Sequence, residues 1–218
     1  MMAPPLPLTD WPEYFPFLGR FLRSPRTVGA LAPSSKWLAR AMVVHVGQPS
    51  TPANPVRPVR IVELGAGTGA FTREIVERLG SGDRFLVVDV EPGFIECLRR
   101  RWPHVECVCA SAATLPALLG ERQIGPVDHI VSGLPFASLP AETTRQILDA
   151  VGKTLRRDGT FTTFQYVHSY GLPRAVAFRR EMNALMGSTP SLQFVARNLP
   201  PAFALSWTNR RADPARPD

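Results

Sequence analysis

Ile61-Val-Glu-Leu-Gly-Ala-Gly-Thr-Gly-Ala-Phe-Thr72 is the stretch from which the fold can be read. The apolar run from Val59 to Leu64 stops at three glycines, Gly65, Gly67 and Gly69. Behind them Phe71, Ile75, Val76 and Leu79 recur at helical spacing. A buried strand, a glycine-rich turn and a helix follow one another. Glycine lets the backbone turn tightly and approach a ligand that a Cβ would keep away.

The same alternation continues outward. Strand patterns cover Arg84–Val90, Val105–Cys109, Val127–Ser132 and Gly159–Tyr166. Helical patterns cover Pro92–Arg101, with Pro in the first turn, Ala141–Leu155 and Arg174–Leu185. Leu192–Arg197 and Phe203–Asn209 flank a Leu-Pro-Pro turn and form a closing antiparallel pair. Strands alternating with helices predict an α/β fold, a mostly parallel sheet covered on both faces. Its ligands belong at the carboxyl ends of the strands.

The glycine loop also satisfies Gly-x-Gly-x-x-Gly/Ala, so a dinucleotide cofactor has to be weighed. A dinucleotide site holds a pyrophosphate there, and Glu63, two residues before Gly65, would repel it. A carboxylate at that place suits the cationic amino-acid end of S-adenosylmethionine, held by Glu63 and by Gly65, Ala66, Gly67 and Gly69. Asp89 ends the second strand twenty residues after Gly69; its carboxylate can accept from both ribose hydroxyls, with Val90 beside it. The competing role for Asp89 is a helix cap. After the third strand methyltransferases commonly place an acid for the adenine amino group. Here Ser111 and Ala112 stand there, and a hydroxyl accepts less strongly than a carboxylate.

Ser132-Gly-Leu-Pro-Phe136 ends the fourth strand and resembles the Asn-Leu-Pro-Tyr and Asn-Pro-Pro-Tyr loops of amino-group methyltransferases. In that resemblance carbonyls orient the acceptor nitrogen and an aromatic packs beside it. Gly133 replaces the Asn, so Gly133 and Leu134 offer backbone acceptors only. Methyl transfer from a sulfonium is carried largely by positioning and requires no metal. It does require an unprotonated amine. Tyr166 can bond that amine or face a developing ammonium, and His168 can relay its proton. Both residues could equally serve as packed or surface side chains.

The 218 residues carry a net charge of +7, almost all from arginine, since Lys36 and Lys153 are the only lysines. Such a balance favours polyanions: nucleic acid, anionic headgroups or phosphate esters. Cys97, Cys107 and Cys109 have no ligand spacing and read as buried, inert thiols. With no signal peptide in MMAPPLPLTDW, a cytoplasmic location follows as the expectation. Residues 1–10 read as a disordered Pro-rich start, 11–58 as N-terminal helices and a Pro-rich linker, 59–210 as the catalytic domain and 211–218 as a frayed tail. Trp11, Tyr14, Phe15, Phe17 and Phe21, interleaved with Arg20, Arg23 and Arg26, suit a helix lying in a bilayer interface. A lid over the cofactor is the competing role. Ser34 and Ser35 read as caps of a Lys36–Val46 helix, with Ser35 facing the cofactor.

Phe21-Leu-Arg-Ser-Pro-Arg-Thr-Val-Gly-Ala-Leu-Ala-Pro-Ser-Ser35, the Glu63–Thr72 loop, Ser132–Phe136 and Arg197-Asn-Leu-Pro-Pro-Ala202 together resemble the bacterial phospholipid N-methyltransferases. The resemblance runs from Phe21 to Arg210. It implies a Rossmann-like class I methyltransferase fold with a seven-stranded sheet. It implies S-adenosylmethionine as donor and stepwise methylation of phosphatidylethanolamine toward phosphatidylcholine. It also implies peripheral attachment to an anionic inner membrane through the segment Trp11–Arg26. Ser111 and the Phe164–His168 stretch depart from the family pattern and leave the acceptor open. An rRNA adenine N6-dimethyltransferase shares the glycine loop, the Leu-Pro-aromatic turn and the basic charge, but lacks the substitution of Gly for Asn and carries a helical domain that does not follow Asn209 here. A small-molecule amine methyltransferase would fit the same loops but leave the aromatic, basic N-terminus without a purpose. A lipid-binding module with a vestigial cofactor site is disfavoured by the intact Glu63, Gly65, Gly67 and Asp89.

Overall fold

The computed structural model describes residues 34–47 and 58–211. The Trp11–Arg26 segment, most of the linker and the tail after Arg211 lie outside the described residues. Within them, β1 (Arg60–Leu64), β2 (Arg84–Asp89), β3 (Glu106–Cys109), β4 (Val127–Ser132), β5 (Leu155–Tyr166), β6 (Ser191–Val195) and β7 (Ala202–Thr208) form one sheet. Its order is β3-β2-β1-β4-β5-β7-β6. The first five strands pair in parallel, and β7 runs antiparallel between β5 and β6. This is the expected class I methyltransferase sheet with its closing hairpin.

The chain builds outward from β1 to β2 and β3, then returns to set β4 on the other side of β1. That reversal opens a crevice at the carboxyl ends of β1 and β4, the usual ligand position in open α/β sheets. Central strands are covered on both faces, which is why β1 and β2 are nearly continuous apolar runs. On one face lie α1 (Lys36–Met42), α2 (Ala70–Val76) and α3 (Pro92–Arg101), packed around Leu38, Phe71, Ile75, Leu98 and Ile61. On the other lie α4 (Leu115–Glu121), α5 (Ala141–Thr154) and α6 (Pro173–Met186), around Leu115, Ile147, Phe161, Phe178 and Trp207.

Several elements differ from the sequence reading. The helix α4 has no counterpart in it: seven residues with Pro116 in the first turn give too short a pattern to register. The helix after Ser35 ends at Met42, not Val46, and continues as turns. Ser35 alone caps it, accepting from Leu38 N at 3.2 Å. Strand β5 starts four residues early, at Leu155, because Leu155 pairs with Val127 before a register shift; Asp158, at φ 60°, marks that irregularity. The cysteines are not uniformly buried: Cys107 is, Cys97 is partly covered and Cys109 is exposed where β3 ends.

Candidate active site

Alternation along β1 places Ile61 and Glu63 on the face covered by α1 to α3. Glu63 is completely buried. Its Oε2 accepts from Thr72 Oγ1 at 2.7 Å, and its Oε1 has no partner among the described residues. Burial pushes the carboxyl up to about 8, opposed by the Thr72 hydrogen bond and assisted by the nearby charge of Asp89. A buried polar atom left without a partner is costly and calls for a ligand. Nothing in the motif's spacing gives Thr72 a role; its place in the first turn of α2, facing back to the strand, appears only in the fold.

The three glycines serve different ends. A Cβ on Gly65 would meet Leu134 at 2.6 Å, and one on Gly69 would meet Leu98 and Trp102 at 2.6 and 2.7 Å. These two allow close packing. Gly67, at φ +52°, has nothing within 4 Å of that position and faces open space. Its N–H donates to Asp89 Oδ2 at 2.9 Å, and Glu91 N donates to Oδ1 at 2.9 Å. Asp89 is thus tied to the glycine loop. It is not a helix cap, since Glu91 occupies that position for α3. Each carboxylate oxygen keeps a second acceptor site for a ribose hydroxyl. Ala66 is buried, and its carbonyl accepts from Gly69 N.

Val90 stands 63% exposed just past Asp89, an apolar side chain held in the open. Ser111 caps a short 3-10 turn, Ala112–Thr114, accepting from Ala113 N at 3.3 Å. Ala112 is buried and joins the core on the α4–α6 face. Cys109, opposite Asp89 in the sheet, places its Sγ 3.6 Å from the Val90 carbonyl.

Across the crevice, Ser132 is buried; its hydroxyl accepts from Leu134 N and its carbonyl from Thr163 Oγ1. A Cβ on Gly133 would lie 2.4 Å from the Gly65 carbonyl, so an Asn there would collide with the donor loop. This explains the missing Asn sterically. Leu134 packs against Gly65, and its carbonyl accepts from Phe136 N at 3.0 Å. The aromatic of this turn does not stand beside the crevice: Phe136 is buried and stacks on Phe178 at 4.2 Å.

At the end of β5 a row of rings runs outward from the glycine loop. Phe71 meets Phe164 edge-on at 6.0 Å, Phe164 meets Tyr166 at 5.2 Å, and Tyr166 stacks on exposed His168 at 5.6 Å. Burial raises the Tyr166 phenol above its ordinary value. Sequence reasoning finds Tyr166 and His168 but not Phe71 and Phe164 between them and the loop. The two most specific sequence motifs also meet here. Ser35 N donates to Asn198 Oδ1 at 2.9 Å, and Asn198 Nδ2 donates to the Pro200 carbonyl at 2.7 Å. Ser35 thus holds the start of α1 against the Asn-Leu-Pro-Pro turn, its hydroxyl committed to Leu38 N.

The residues fit an S-adenosylmethionine donor. A partnerless buried carboxylate oxygen can take its ammonium, Asp89 its ribose, Val90 an apolar base face, and the open side of Gly67 leaves room for the nucleoside. Among the described residues no cluster of side chains could hold a metal ion.

A family model described as a methyltransferase domain matches residues 61–159. The chain is 34% identical over 198 residues to the ornithine lipid N-methyltransferase of Singulisphaera acidiphila, covering 88% of this chain and 94% of that protein. Two solved structures share the fold. One is a TehB-like S-adenosylmethionine-dependent methyltransferase from Corynebacterium glutamicum (15% identity, 89% of this chain and 96% of that one, TM-score 0.55). The other is the 1,6-didemethyltoxoflavin-N1-methyltransferase of Burkholderia thailandensis, with bound S-adenosylhomocysteine (20% identity, 88% and 84%, TM-score 0.56). Fold, donor loop and a relative matched along nearly its whole length agree: the chain is a class I S-adenosylmethionine-dependent methyltransferase, and it belongs to the family that includes the ornithine lipid N-methyltransferase of Singulisphaera acidiphila.

Proposed function

We propose that the protein methylates the amine of phosphatidylethanolamine, and then its mono- and dimethyl derivatives, toward phosphatidylcholine at a membrane surface. Similarity to a lipid N-methyltransferase over most of both chains supports N-methylation of a lipid, and the choice of phosphatidylethanolamine rests on the Ser132–Phe136 and Arg197–Ala202 motifs. A second acceptor, the amine of an ornithine lipid, is favoured by that relative's own name. Both acceptors are primary amines on lipids, and the same residues serve either.

When bound, the cofactor supplies a methyl group on a sulfonium sulfur, already activated for displacement. Glu63 would hold the donor's ammonium, giving up to solvent the proton that burial keeps on its carboxyl. Asp89, fixed by the Gly67 N–H, would hold the ribose. Leu134's carbonyl is engaged by Phe136, so Gly133's is the less committed acceptor for an incoming N–H. Tyr166, whose phenol burial raises still further above its ordinary value, would either hydrogen-bond the amine or offer its ring to the developing ammonium. His168, exposed beside it, takes the amine's proton and passes it to solvent. The basic aromatic segment Trp11–Arg26 would bring the crevice to an anionic bilayer.

Labelled donor, supplied with vesicles containing phosphatidylethanolamine or ornithine lipid, tests the reading. Label in the phosphatidylethanolamine fraction is expected. Label only in ornithine lipid would install the second acceptor, and label only in added ribosomal RNA would remove lipid methylation altogether.

A further inference from the structure

Beside the active-site crevice lies a surface that the chemistry leaves unused. Leu199, at the tip of the Asn-Leu-Pro-Pro turn, is 80% exposed. Val167, in the 3-10 turn just after β5, is 42% exposed. Val167 N donates to the Pro201 carbonyl at 2.9 Å, so the two turns are joined at the end of the sheet where the crevice opens. The Ser35–Asn198 hydrogen bond fixes the first turn of α1 to the same place. There Trp37, 38% exposed, is ringed by cations: Arg197 at 4.7 Å, Lys36 at 5.3 Å and Arg40, itself 3.7 Å from the Glu74 carboxylate, at 5.9 Å from its ring.

Apolar tips held by backbone hydrogen bonds, an amphipathic indole and a rim of cations match an anionic bilayer at each level. Acyl tails receive Leu199 and Val167, the headgroup layer receives Trp37, and anionic phosphates face Arg197 and Lys36. We infer that this folded surface is a bilayer-contact face in its own right, separate from Trp11–Arg26, that presents the crevice to the headgroup layer. It rests on the proposed lipid acceptor for its purpose but not for its test, which needs neither donor nor methyl transfer. Leu192 and Phe194, exposed apolar side chains on the edge strand β6, alternate with Val195 and so stand on the sheet face opposite to α1, with Phe194 against Phe203; they serve as the control.

The test uses the full chain and vesicles of phosphatidylglycerol with phosphatidylcholine, followed by co-sedimentation and by hydrogen exchange. The Val167→Ser/Leu199→Ser double variant is expected to lose about tenfold or more in vesicle affinity, since each buried aliphatic side chain carries up to roughly two decades. Leu192→Ser/Phe194→Ser is expected to bind as the unmodified chain does. Amides of residues 197–199 and 167–168 are expected to slow in exchange when vesicles are added. Equal losses in both double variants would mean indiscriminate adsorption and overturn the inference. So would unchanged affinity in the first variant, or no protection of these amides. Concentration-dependent protection without vesicles, abolished by the first double variant, would overturn it too, assigning the face to a second copy of the chain. Failure of lipid methylation with vesicle binding intact would instead strike the proposed function alone.

Discussion

Replacing Glu63 with Gln keeps the side chain's size and its link to Thr72 but removes the ionisable group. In the donor-free protein the carboxyl is raised from 4.5 to about 8 by complete burial. A carboxyl whose folded pKa lies above its unfolded one stabilises the fold fully below pH 4.5, and that stability is lost as pH climbs toward 8. The linkage relation puts the loss at about 1 kcal/mol at pH 5, about 3 at pH 7 and about 4–5 above pH 8. In a chain of this length about 3 kcal/mol corresponds to roughly 6–12 °C in Tm. The donor-free Gln variant should therefore melt progressively higher than the unmodified chain between pH 5 and 8, a gap that scanning calorimetry can follow. Donor binding should move the opposite way. Losing a charge-assisted contact worth about 1.5–3 kcal/mol weakens affinity roughly 10- to 150-fold. Titration calorimetry at pH 6.5 in buffers of different ionisation enthalpy should show close to one proton released per donor bound by the unmodified chain, and almost none by the variant. A melting gap that does not change with pH, or equal proton release in both proteins, would refute the account of Glu63 as an orphaned acid awaiting a cation.

The glycines give a contrast in kind. Gly67→Ala should cost only about 1 kcal/mol in thermal stability, from its positive φ, yet weaken donor binding at least tenfold in calorimetry; Gly69→Ala, whose φ of +81° carries a similar cost, should lose about 2–4 kcal/mol because it also collides with Leu98 and Trp102. Gly133→Ala, aimed at the Gly65 carbonyl, should displace the donor loop and lower donor affinity at least tenfold with the circular dichroism spectrum kept. Asn198→Ala should lower stability by about 1–2 kcal/mol in urea unfolding and speed amide exchange at Ser35 and Trp37, because it removes both hydrogen bonds of the tether. His168→Ala should reduce kcat about 10²-fold at pH 7 and lose less at higher pH, where more amine is already deprotonated; a pH-independent deficit would reduce His168 to a packing partner of Tyr166.

The sequence by itself determined the sheet, the donor and the place of the loop. An apolar strand must end where its glycines begin, and a period of two followed by one of 3.6 leaves little choice of element. Glu63 and Asp89 were legible because charge in a strand's last residues is rarely there for packing. The helix α4 was missed because its pattern is short, and a boundary slipped where pairing extended a strand past its own apolar run, as at Leu155.

What only the tertiary structure decided is which side chains meet. No spacing rule puts Thr72 on Glu63, sends Phe136 inward to Phe178 or sets the Gly65 carbonyl where a side chain on residue 133 would have to go. Nor could it join Ser35 to Asn198, 163 residues apart. Periodicity records which face a residue takes within its own element. Contact between elements depends on how strands are ordered and how closely loops approach, and that is fixed only when the whole sheet closes.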